Sequence, residues 1–411
     1  MGGDEERRAN TLDGLRAFAA RKNAEYEALC GEFLPVGRAG ALWRGSRSPS
    51  RRSDPRQGWK IHVAATVLSA AGVLRAVAPV LRSVDARFKA PVSLFELMKL
   101  NAGVFYGYSQ IGKFITVYPS SEDQFVALAG ELDRLTVGRA APAVPFDRRF
   151  SARSPVFYRY GVFTGNDDEQ AAFLTAPDGS LVPDSPDAAV TPVWAVDPLG
   201  ARRRSVDAPE EPNPLKTRYR VFRALSQRGK GGVYLAFDKE FKRPCVVKEG
   251  RRHGETAWNG SDGRRRVAQE KESLARLSEY NVNVPKIYDW FEHAGNFYLV
   301  IEYIEGVALR EIIDGGRMNA AQKRNAAGQL AEIVAAIRRA GFVWRDCKPE
   351  NVIVDRHGTL RPIDFESAAE IGRRAPLVWK TPAYAPAAPA DTADSAEDEH
   401  ALKACENQIG F

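Results

Sequence analysis

Apolar residues recur at helical spacing through Leu12, Leu15, Phe18, Ala19, Tyr26, Leu29 and Cys30, which predicts a helix over 12–34. Alternation with period two takes over in GWKIHVAATV (58–67), the mark of a strand. A helix over 68–82, the mixed segment FKAPVSLFELMKLNAG (88–103), a strand in GKFITVYP (112–119) and a helix over 125–135 follow. From Pro142 to Pro214 the chain is Pro-rich, and a single segment, PVFYRYGVF (155–163), reads as a strand. The rest of that stretch, including PDGSLVPDSPD and DAPEEPNPLK, has the chemistry of turns and linkers. Further on come a strand, a Gly-rich turn, a strand, and FKRPCVVKEG as another strand. A charged helix (264–279) precedes paired strands at PKIYDWFEH and NFYLVIEYI. Helices at 319–340, the loop WRDCKPENVIV and the strand-loop LRPIDFE follow, and the low-complexity tail 383–396 is expected to be flexible.

The change of texture falls near 205–215, so we expect two domains, 1–210 and 211–411, of α+β class. With 411 residues, 44% of them hydrophobic and 27% charged, disorder throughout and a collagen-like chain are excluded. Lys+Arg 59 against Asp+Glu 52 leaves a charge of +7, which favours anionic ligands without demanding nucleic acid. Arg38 to Arg56 reads as a mobile basic loop, where only Trp43 interrupts the charge, fewer aromatics than a nucleic-acid platform carries. Four scattered cysteines form no CxxC pair, so neither a disulfide framework nor zinc is expected, and a reducing cytosol is the default. The longest apolar run, 12 residues from Val63 to Leu74, falls short of the ~20 that span a bilayer. The charged N-terminus has no signal core.

In the second domain four signals fall in one order. Gly229, Gly231, Gly232 and Val233 lie between two strand-like runs, where the absence of side chains lets backbone N–H groups approach phosphate. Lys248 ends the apolar run Cys245–Val247, and Glu270, 22 positions on, lies in a helix whose Leu274 and Leu277 mark the buried face. Glu270 is expected to pair with Lys248 and hold it on nucleotide phosphates. Asp346 would orient a substrate hydroxyl, Lys348 would steady the γ-phosphate, and Asn351 and Asp364 would supply oxygen ligands for Mg²⁺.

From Leu215 onward this stretch resembles the eukaryotic-type protein kinase fold, which is bilobal and uses ATP or another nucleoside triphosphate. Its departures are Trp344-Arg345-Asp346 for the usual H-R-D and Asp364-Phe365-Glu366 for D-F-G. Glu366 in place of Gly removes a flexible hinge, which argues against a mobile activation switch. Glu397–Leu402 is expected to begin a helix that braces the catalytic loop, with nine residues left after it. The large lobe is therefore expected to be shortened: a compact form, or one completed by another chain or by the first domain.

The first domain plants cations in apolar strands. Lys60 and His62 share one face of a strand, Lys89 follows Phe88, Lys113 opens a strand, and Arg159 sits inside Phe157–Tyr160. Unpaired buried charge is costly, so an anion should converge on them. Any one of these cations alone would more often snorkel to the surface, and His62 alone would more often be a core histidine.

GWKIHVAAT, the FK pair with LN beyond it, GKFITVYP and FYRYG resemble the N-terminal lyase domain of class III and class IV lanthipeptide synthetases, over about residues 58–165. That domain is related to the phosphothreonine lyases. The resemblance implies that the kinase phosphorylates Ser/Thr of a precursor peptide recognised through a leader segment. The lyase then eliminates phosphate to leave dehydroalanine or dehydrobutyrine. It implies Lys89 as the base, its pKa lowered by desolvation, with Lys99 as the alternative, and His62 as the general acid. It implies Lys60, Lys113 and Arg159 as phosphate ligands. The zinc cyclase domain of that family has no counterpart here, so a separate cyclase is the expected partner.

Two rivals stay open at this level: a signalling Ser/Thr kinase with a phosphopeptide-binding first domain, and a pseudokinase scaffold. The first predicts a stable phosphorylated product, and the second ATP–Mg²⁺ binding without turnover.

Overall fold

Seven strands, each antiparallel to its neighbours, organise the first half in the order Val36–Gly37, Trp43–Gly45, Arg87–Pro91, Ile115–Tyr118, Gln57–Val63, Val156–Val162, Arg148–Arg149. The structure, a computed structural model, describes residues 11–37, 40–47, 54–163, 173–185, 187, 190–200, 212–316, 318–373, 382–386 and 391–410. The boundary expected near 210 and the Arg/Ser tract 48–53 lie outside the described residues.

Alternation along these strands separates two faces. Trp59, Ile61, Val63, Phe88, Ala90, Ile115, Val117 and Tyr158 join one buried core with helices Leu12–Phe33, Ala70–Ser83 and Glu122–Thr136. The Trp59 ring packs on Phe125, Tyr158 and Tyr160 with centroids 5.5–5.8 Å apart. Lys60, His62, Lys89, Thr116 and Arg159 therefore occupy the opposite face.

The second half begins with a five-stranded antiparallel sheet, Tyr219–Arg228, Gly231–Asp238, Arg243–Gly250, Asn296–Glu302, Ile287–His293 in spatial order. Helix Gly263–Glu279 packs on it, and the Asp262 carboxylate caps that helix by accepting from Arg265 N. Helix Ala320–Arg339 starts with a capping box between Asn319 and Gln322 and packs against helix Ser395–Ile409. No helix among the described residues is long and apolar enough to cross a membrane.

The structure corrects several expected elements. The strand expected over 58–67 stops at Val63, because Thr66 and Ser69 bond to each other through backbone and hydroxyl groups and start a turn. Lys113 does not open a strand: Gly112 turns at φ 76°, Lys113 N donates to Gln110 O, and the strand begins at Ile115. The basic stretch 38–56 is not a loop throughout, since Trp43–Gly45 pairs with Lys89–Pro91 and Arg47 holds Asp54 with two 2.8 Å hydrogen bonds. PDGSLVPDSPD is more than a linker: Leu181–Pro183 pairs with Phe173–Thr175 in a hairpin. Ser395 and Ala396, expected in the flexible tail, begin the final helix, capped by Asp394.

Candidate active sites

In the second half, strand and helix deliver one ion pair into the cleft between sheet and catalytic loop. The Lys248 ammonium lies 2.6 and 2.8 Å from the two Glu270 oxygens and 3.0 Å from Asp364 Oδ1. Glu270 also accepts from Phe365 N at 2.9 Å, which ties the helix to the Asp364–Glu366 turn. Val233 pairs in register with Lys248 across the sheet.

The loop is set by two residues in the left-handed region, Arg345 (φ 67°) and Asp364 (φ 64°). Such conformations are costly for non-glycine residues and persist only where the surroundings fix them. Here Asp398, on the final helix, accepts from Trp344 N and Arg345 N at 2.7 Å each, while Arg345 Nε lies 3.2 Å from Glu397. The helix expected to brace the loop does so. Trp344, fully buried, stacks on Phe365 at 5.4 Å and donates its indole N–H to Asp364 O. Asp346 is held by Lys348 at 2.8 Å and by the Asn351 amide at 2.7 Å.

In the first half the cations gather on one sheet face. Lys60 pairs in register with Arg159, while Lys89 and His62 both sit opposite Thr116, so Lys89, Thr116 and His62 form a row across three strands. At about 4.8 Å per strand, Lys89 and His62 are about 10 Å apart at the backbone. His62 Nδ1 lies 2.5 Å from Asp147 Oδ2. Phe146, in the left-handed region at φ 65°, turns the chain into Asp147. Arg159 donates to Asp184 Oδ1 at 2.5 Å, Val162 N donates to Asp184 Oδ2 at 2.9 Å, and Lys60 lies 3.8 Å from the same carboxylate. Lys89 places its ammonium 4.6 Å from the Trp43 ring centroid. Lys99 instead pairs with Glu96 at 2.8 Å on its own helix, Leu94–Ala102.

The RamC N-terminal domain family matches residues 37–211, and the protein kinase domain family matches residues 219–389. The chain is 32% identical over 373 residues to Probable SapB synthase of Streptomyces coelicolor, covering 86% of this chain and 40% of that protein. The chain joins a RamC N-terminal domain to a protein kinase domain. It thus resembles the class III and class IV lanthipeptide synthetases as expected, and it spans less than half the length of SapB synthase. The kinase domain alone is 30% identical to Serine/threonine-protein kinase PrkC of Bacillus subtilis over 158 residues, 38% of this chain and 24% of that one. It is 33% identical to Serine/threonine-protein kinase D of Synechocystis over 157 residues, 37% of this chain and 30% of that one.

Electrostatics differ sharply between the two sites. In the RamC domain, burial pushes His62 down to about 4 against the pull of Asp147, with Lys113 and Lys60 adding to the fall. Burial likewise lowers Lys60 to about 7 and lowers Lys113. Asp147 would rise on burial, but His62, Lys113 and Arg159 outweigh that and hold it low. In the kinase domain burial would discharge Lys248, yet Asp364 and Glu270 outweigh it and keep its proton. Burial would raise Asp364, and Lys248 and Lys230 hold it far below the usual carboxylate range. Asp346 is raised by burial, with Lys348 opposing, as suits a group that accepts a proton.

Three participants escape sequence reasoning. Asp147, fully buried against His62, follows a run without strand pattern. Asp184 hides in a Pro/Asp/Ser tract that looks like a turn. The pairing of Lys230 with Glu366 spans 136 residues. Only the last left a signal, the unusual Glu after Asp364-Phe365.

Proposed function

We propose that this chain dehydrates Ser and Thr residues of a ribosomally made precursor peptide bearing a leader segment, by phosphorylation and then elimination of phosphate. The RamC domain, which we take as a phosphothreonine-lyase-like domain within 1–210, carries the elimination, and 211–411 the phosphoryl transfer. The observation that carries this reading is the row Lys89–Thr116–His62 on one sheet face with Lys60 and Arg159, with Lys113 in electrostatic reach of them, in one chain with a complete Lys248–Glu270–Asp364 constellation.

A protein kinase domain implies ATP as phosphoryl donor. Asp364 and Asn351 fit Mg²⁺ by donor chemistry: the Asn351 amide nitrogen is turned to Asp346, which leaves its carbonyl oxygen as a hard ligand beside a carboxylate kept ionised. Bound there, Mg²⁺ would neutralise phosphate charge. Asp346 takes or orients the hydroxyl proton of the peptide Ser/Thr, Lys248 holds the α- and β-phosphates, and Lys348, 2.8 Å from Asp346, steadies the γ-phosphate.

In elimination, Lys89 removes the α-proton, the Cα–Cβ double bond forms, and the Cβ–O bond breaks as phosphate leaves. His62 protonates the leaving oxygen. Its depressed pKa means the resting imidazole is neutral at pH 7, with Nδ1–H donating to Asp147. A phosphate dianion brought to the face of Lys60, Lys113 and Arg159 raises that pKa, so substrate itself charges the acid. Lys99 is the lesser candidate for the base, because Glu96 keeps its proton on.

The test is mass spectrometry of a precursor peptide incubated with protein, ATP and Mg²⁺. Loss of about 18 Da per Ser/Thr supports the reading, and stable phosphopeptide, about 80 Da heavier, favours the signalling kinase. Asp346→Asn should yield neither product.

A further inference from the structure

Backbone amides of a Gly-rich loop are the usual cradle for phosphate. In this loop much of the backbone meets protein instead. Gly229 N donates to Ala102 O of the RamC domain at 2.9 Å, and a Cβ on Gly229 would stand 1.6 Å from Asn101 O. Arg251 N donates to Lys230 O at 2.8 Å, and a Cβ on Gly263 would lie 1.7 Å from that same oxygen. A Cβ on Gly231, at φ 156°, would stand 1.6 Å from Glu249 O. The glycines thus permit close packing on the RamC domain and on the neighbouring strand, and Gly229 has no amide left for a ligand.

What the loop sends into the cleft is a side chain. The Lys230 ammonium forms an ion pair with Glu366, two residues past Asp364, and both side chains are largely buried. Burial would discharge this lysine, but Glu366 and Asp364 outweigh it. The cleft therefore holds two lysines, Lys230 and Lys248, against Asp364, Glu366 and Glu270. A nucleoside triphosphate adds several negative charges to that face, where Lys230 stands as a further cation beside Lys248, Lys348 and the residues that would hold Mg²⁺.

We propose that Lys230 is a further phosphate ligand of the nucleotide site, acting through its side chain, and that Glu366 holds it ready there. Nucleotide binding exchanges one anionic partner of Lys230 for another. Glu366 then competes with the nucleotide, so the two residues have opposite effects on affinity. This rests on the kinase reading, and the binding experiment separates the two.

The test is titration of the full chain with Mg²⁺ and a non-hydrolysable ATP analogue by calorimetry, with Lys248→Met as control. Lys230→Met should weaken binding on the order of tenfold or more, Lys230→Arg should retain most of it, and Glu366→Gln should tighten it severalfold. Thermal melts without nucleotide check that each variant is folded. If Lys230→Met binds as tightly as the parent while Lys248→Met does not, the proposal is overturned and the kinase reading stands. If Lys230→Met and Glu366→Gln both weaken binding alike, the pair is only a structural bridge and the proposal is overturned. If the parent chain binds no nucleotide, the kinase reading falls and the proposal with it.

Discussion

The Asp184 carboxylate sits on the Arg159 guanidinium at 2.5 Å, in the face to which the proposed elimination brings phosphate. A phosphopeptide must displace it. Asp184→Asn keeps an acceptor for Val162 N and removes the competing charge. Binding of a phosphoserine peptide to the full chain should tighten severalfold, and calorimetry at two salt concentrations will show it. Weaker binding would mean that Asp184 organises the pocket instead of occupying it.

In the proposed elimination Asp147 would orient His62 and stabilise its imidazolium, as a buried carboxylate does for a catalytic histidine. Asp147→Asn should slow elimination by about 10²–10⁴ while phosphorylation continues, so phosphopeptide accumulates. His62→Ala should give the same product pattern. The readout is the ratio of phosphorylated to dehydrated peptide over time.

Stability of the RamC domain should depend on pH in two windows. His62 is lowered from 6.5 to about 4, so between those values the unfolded chain binds the extra proton. Stability is complete above 6.5 and is lost as pH falls toward 4, by on the order of 3 kcal/mol for this group. Lys60, lowered from 10.5 to about 7, acts in the same sense over a higher window: stability rises from pH 7 upward. Urea denaturation across pH 4–10 (about that range suffices) should show both slopes, with His62→Gln flattening the lower and Lys60→Met the upper.

Gly229→Ala drives a methyl group into Asn101 O, where no flexible side chain can yield. The contact between domains should loosen, at a cost of about 2 kcal/mol or more. Limited proteolysis of the full chain should become faster, and nucleotide affinity should fall.

Elements with a clear period were legible from sequence. The helix of Leu12–Phe33, the strand carrying Lys60 and His62, and the helix carrying Glu270 lie within a few residues of expectation, because one buried face fixes each pattern. Lys248, Glu270 and Asp364 come together, as do Asp346, Lys348 and Asn351. What failed was polar and local. Asp147 and Asp184 have no periodicity to betray them, since each is placed by a turn and held by a partner far away in the chain. Trp43 looked like a lone aromatic in a basic loop, and only sheet register reveals it beside Lys89. Gly229 was legible as a glycine but not for its reason: sequence shows that a Cβ is missing, not which atom would have met it.

The bond from Gly229 to Ala102 makes the kinase half a poor candidate for transplantation. A chimaera that joins this kinase half to another first domain inherits one side of a contact with no room for a methyl group. Residues 101–103 and 229 must therefore change together or not at all, and the two domains descend as one unit.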